Sequence, residues 1–110
     1  MKVWVLQGSY ENELFSSVHL TEKGCVLACI SDVLDFLGVD NEECARRVMS
    51  DHLTHLDKQP PELIEWDFEK MSSMTRKQLW KIFHDWTETV WDTMCDRSYY
   101  IDAGPYTIQA

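Results

Sequence analysis

Cations are scarce in this sequence: ten Lys and Arg stand against nineteen Asp and Glu, a net charge of −9 with a pI near 4.7. Direct contact with a nucleic-acid backbone requires clustered cations, so that class of function is disfavoured. Long apolar runs are also missing. The best candidate, Cys25 to Val39, is interrupted by Asp32 and Asp35 and falls short of the roughly 20 residues needed to span a bilayer, so no membrane association is expected. No opening stretch joins a basic flank, an apolar run and a small-residue cleavage site, and a cytoplasmic protein is the expectation. The four glycines, Gly8, Gly24, Gly38 and Gly104, never cluster into a phosphate-binding loop. No Cys-x-x-Cys pair exists either. Cys25 with Cys29, and Cys44 with His52 and His55, have zinc-compatible side chains at unsuitable spacing, so neither metal nor cofactor is expected. The thiols are expected to be reduced, Cys25, Cys29 and Cys44 serving as small apolar side chains.

What is present is enough apolar material for one domain. Of 110 residues 45% are hydrophobic, and 12% are aromatic, with five Trp, which is sufficient to offset chain entropy in a single modest core. Lys2 to Gln7 and Leu14 to Leu20 read as strands, with Gly8 to Glu13 as the hairpin loop. Thr21 is a natural N-cap for a helix whose Val26, Leu27, Ile30, Val33, Leu34 and Leu37 share one face and which Gly38 closes. Asp40 with Glu43 predicts a capping box for a second helix, ended by Lys58-Gln59-Pro60-Pro61. A short third helix is expected over Glu62 to Met71, an irregular stretch being the alternative. Thr75 with Gln78 predicts a capping box for the longest helix, Arg76 to about Cys95. Ser98 to Ile101 and Tyr106 to Ile108 predict either a hairpin or one strand broken by a bulge. The expected fold is α+β: a small antiparallel sheet, built from the N-terminal hairpin and a C-terminal strand or hairpin, packed against three to four helices.

The longest helix carries the candidate site. Its cations, Arg76, Lys77 and Lys81, precede its acids, Asp85, Glu88, Asp92 and Asp96, an order that opposes the helix dipole. Those acids follow spacings of three, four and four, so like charges stack along one stripe. As a functional element they would form an acidic ridge facing a cationic surface; as a structural one, a solvated face. Leu79, Ile82, Phe83, Trp86 and Val90 make one apolar stripe and Trp80, Thr87, Trp91 and Cys95 a second. Two stripes need two partners, and core is the favoured reading of both; an exposed Trp80 and Trp91 would instead anchor a partner or a homodimer seam. Trp4 and Trp66 read as core. His84 and Cys95 lie about 16 Å apart along the helix, too far for a nucleophile and base, and no other pairing has an enzyme's local signature.

The opening Met1-Lys2-Val3-Trp4-Val5 strand, the Gly8 and Tyr10 turn, the second strand and the Thr21-Glu22-Lys23 cap together resemble the small accessory proteins of bacteriophages and mobile elements. The likeness covers Met1 to Gly38, with an echo in Tyr106-Thr107-Ile108. It implies a class of behaviour, inhibition of a host enzyme or defence complex by binding, as in anti-CRISPR proteins and DNA mimics, and transfers no individual residue. With acid spread along the whole chain, the expected function is a non-catalytic acidic inhibitor that occludes the basic nucleic-acid-binding surface of a host or defence protein. A homo-oligomerising module is the alternative, and a small Cys- or His-dependent enzyme a more distant one.

Overall fold

A computed structural model describes residues 1–56, 63–93 and 99–108, without the side chains of 52–56 and 90–93. The elements follow the order β1 (Lys2–Tyr10), β2 (Glu13–His19), α1 (Glu22–Leu37), α2 (Glu42–Leu56), α3 (Phe68–Met71), α4 (Arg76–Thr93) and β3 (Tyr100–Thr107). The three strands form one antiparallel sheet in the order β2-β1-β3, and the fold is α+β.

The hairpin is tighter than the expected six-residue loop. Both strands extend until Tyr10 pairs with Glu13, leaving only Glu11 and Asn12 in the turn. Those two residues have φ of 50° and 71°, the left-handed pair that matches the twist of adjoining strands. At the other end of the sheet, β3 is neither a hairpin nor bulged. It pairs one-for-one with β1 from Ser9 opposite Tyr100 to Lys2 opposite Thr107, with Gly104 and Pro105 in the middle. Proline is tolerated because β3 lies at an edge, where the bond it lacks would point away from β1. Ser98 lies outside the described residues.

Capping chemistry sets the helix boundaries. Thr21 Oγ1 accepts from Gly24 N–H at 3.0 Å, and Gly38, at φ 71°, ends α1 with its N–H on the Asp35 carbonyl. In α2 the cap is Asn41, whose Oδ1 accepts from Cys44 N–H at 2.9 Å, so the expected pairing of Asp40 with Glu43 is not the one formed. Asp40 instead accepts from the Asn41 amide. The expected stop at Lys58 to Pro61 lies outside the described residues. The third helix is only one turn: residues 63–67 run without regular structure, and Asp67 caps Phe68–Met71 by accepting from Glu69 N–H at 3.1 Å. What holds the irregular run is α4 and α2 rather than a helical ladder. Trp86 Nε1 donates to the Glu65 carbonyl at 2.9 Å, and Ile64 N–H points at Met49 Sδ. The capping box of α4 forms as expected, with Gln78 N–H on Thr75 Oγ1 and Thr75 N–H on Gln78 Oε1.

The core lies where α1 meets α4, with the sheet closing one side. Cys25, Val26, Cys29, Ile30 and Val33 of α1 are fully buried, as are Leu79 and Trp86 of α4. Leu6 and Ile101 enter the same core from the sheet; Trp4, Phe15, Trp66 and Ala103 pack against it partly buried. A further buried α4 residue is Thr89, whose hydroxyl donates to the Asp85 carbonyl at 2.9 Å, removing the cost of an unpaired polar group.

Candidate protein-binding surface

Two grooves meet at Asp35, on the last turns of α1. The first, of about 360 Å³, is lined by Tyr10, Glu13, Phe15, Asp32, Asp35, Phe36 and Tyr99. Its aromatic wall is ordered by mutual packing: Phe36 stacks on Tyr99 with ring centroids 4.3 Å apart, and Tyr10 meets Phe36 edge-on at 5.1 Å. The buried Tyr99 hydroxyl donates to Asp32 Oδ2 at 2.5 Å. Burial and that neighbouring carboxylate push the phenol's pKa upward, so Tyr99 stays a neutral donor. The second groove, of about 300 Å³, lies between the end of α1 and the α3 segment. Asp35, Asp40, Asp67 and Glu69 line it together with Trp66 and Phe68.

Six carboxylates therefore line the two grooves alongside aromatic rings, with Asp35 shared between them, and among the described residues no lysine or arginine lines either groove. The last turn of α1 has no basic residue to offset the carbonyl end of the helix dipole, so Asp35 sits where its charge is least favoured. An aromatic face bordered by anions suits a guanidinium or ammonium group, which gains both ion pairing and a cation–π contact.

The acidic ridge read from the sequence is placed only in part. Asp85 is half-buried and paired with Lys81 Nζ at 2.8 Å, an intrahelical bond that also raises the Lys81 pKa. Glu88 is exposed and borders a third groove, of about 510 Å³, with His84, Tyr100 and Asp102. Asp92 is in α4 but its side chain is outside the described residues, and Asp96 lies wholly outside them. Trp80 is half-buried against the core, with Nε1 donating to Glu22 Oε1 at 2.9 Å. The side chain of Trp91 is not described. Among the described residues, no group of three or more His, Cys, Asp or Glu is arranged to hold a metal ion, and no helix is long and apolar enough to cross a membrane.

The grooves draw on residues that sequence reasoning assigned to other roles. From the sequence, Asp32 and Asp35 read as interruptions of an apolar run, Asp40 as a cap and Tyr10 as a turn residue. A local signal does exist: Asp32, Asp35 and Phe36 fall at i, i+3 and i+4, one acidic-aromatic face on an otherwise buried helix. The contributions of Glu13, Tyr99 and Asp67 come from distant segments and carry no such signal. No family model matches the chain, and comparisons with curated proteins and solved structures give no significant match.

Proposed function

We propose that this chain is a non-catalytic acidic protein that binds a basic surface of a partner protein and keeps nucleic acid from it. The observation that carries the reading is the pair of adjoining grooves at Asp35, with six carboxylates, aromatic walls and no lining cation. Acid held on a folded surface offers negative charge to the cationic surface of a nucleic-acid-binding protein, and complementary fields speed such encounters. A partner of this kind, a host or defence protein, agrees with the resemblance of residues 1–38 to accessory proteins of phages and mobile elements.

The test is affinity capture from a bacterial lysate, with duplex DNA as competitor, comparing the wild-type chain with an Asp35→Asn/Asp67→Asn variant. The reading expects a nucleic-acid-binding protein that DNA releases and the variant retains poorly. Equal retention of the same proteins by both forms would show that the grooves do not bind them.

A further inference from the structure

We propose that β2 is a self-pairing edge, through which two copies of this chain join their sheets into one six-stranded sheet. The two edges of the sheet differ in their chemistry. On β3 the free edge is interrupted by Pro105, and the strand itself carries Asp102, devices that discourage another strand from adding. β2, Glu-Leu-Phe-Ser-Ser-Val-His, has no proline, lysine or arginine, and its unbroken pairing with β1 excludes a bulge. Among the described residues nothing pairs on its outer side.

Hydrogen-bond phase and side-chain pattern select the same alignment. Tyr10 and Glu13 close the two-residue turn as a hydrogen-bonded pair, so Glu13, Phe15, Ser17 and His19 direct their backbone groups to β1. Leu14, Ser16 and Val18 direct theirs outward. The same three side chains are exposed on the sheet face turned away from the helices, Leu14 at 87% and Val18 at 64%. An antiparallel copy centred on Ser16 uses the full length of the strand. It sets Ser16 against Ser16, Leu14 against Val18, and Glu13 against His19 of the second copy, joining an apolar pair and an acid–imidazole pair on each side of the two-fold axis. The helical layers of both copies then lie on one side of the joined sheet.

Ser16→Pro tests the edge specifically, because it removes an N–H that points outward and that β1 does not use. Sedimentation and light scattering of the wild-type chain over a hundredfold concentration range should show the mass rising from one chain to two. Ser16→Pro, with an unchanged circular dichroism spectrum, should stay monomeric throughout. A second measurement does not depend on the proline variant folding: oxidised glutathione should link Ser16→Cys into a covalent dimer on a non-reducing gel, beyond any background from wild type, while Ser17→Cys, which faces the helices, should not link. A wild-type chain that stays monomeric, or a Ser16→Cys chain that links no more than wild type, overturns the proposal. A dimer that a folded Ser16→Pro variant also forms, as stacking through the open sheet face would give, overturns it as well.

Discussion

Phe15 occupies the space that a side chain at Gly8 would need. The two residues are cross-strand partners, and a methyl group built at position 8 would collide with the Phe15 ring and come within 2.7 Å of the Tyr100 carbonyl on the opposite strand. Glycine here is a packing requirement: φ is ordinary, but β1 is squeezed between a ring on one side and backbone on the other.

Replacing Gly8 with Ala should therefore destabilise the protein, by about 1–3 kcal/mol from forced repacking. Urea denaturation followed by tryptophan fluorescence measures it. A stability unchanged to within a few tenths of a kcal/mol would mean that Phe15 can swing away at little cost.

The hairpin turn should respond in the opposite direction. Glu11 holds φ of 50°, which costs a residue with a Cβ about 1–2 kcal/mol relative to glycine or, less, asparagine. Changing Glu11-Asn12 to Asn-Gly keeps the turn geometry while relieving that cost, and should raise Tm by several degrees. A thermal melt decides it, and no gain would show that the turn contributes little to the folded state.

Glu22 makes stability depend on pH in a defined direction. It accepts from Trp80 Nε1 and, at 2.7 Å, from Arg76, and these bonds hold its pKa below the ordinary carboxylate value in spite of partial burial. A depressed folded-state pKa gives stability that is present above the unfolded pKa, near 4.3, and is lost as pH falls through the folded one. Glu22→Gln keeps an acceptor for Trp80 but loses the charge. It should melt below wild type at pH 7 and match it more closely as pH falls from the unfolded carboxylate value through the depressed folded one; a gap that stays constant would rule out Glu22 as the titrating group.

The thiols should divide by burial. Cys25 and Cys29 are fully buried, and desolvation pushes both pKa values upward, so little thiolate is available at neutral pH. Iodoacetamide followed by peptide mass mapping should find them unmodified in the native protein and modified in urea, while the half-exposed Cys44 reacts in both. Fast alkylation of Cys29 in the folded chain would contradict this.

Local chemistry was legible in the sequence and distant pairing was not. The caps at Thr21, Gly38 and Thr75 each depend on a side chain and a backbone group within four residues, and these formed where the pattern placed them. Asp40 and Asn41 are both good caps one residue apart, so sequence alone could not choose between them. Over 63–67 the spacing of apolar residues leaves a helix and an irregular stretch both open, and bonds from Trp86 and Met49, far away in sequence, favour the irregular one. The grooves at Asp35 were hidden for the same reason. Their walls combine the first hairpin, the end of α1, the α3 segment and the residue preceding β3, and no periodicity links these.

The central strand takes its two neighbours from opposite ends of the described chain: β2 across a two-residue turn, and β3 from Tyr100 onward. An isolated hairpin is marginal in water, so β1 and β2 together are a poor template until the third strand arrives. The residue that leads into β3, Tyr99, is anchored to α1 through Asp32. Folding should thus be paced by delivery of one strand over a long loop, the slow kind of closure, with the Tyr99 phenol as the latch that holds the strand once it is home.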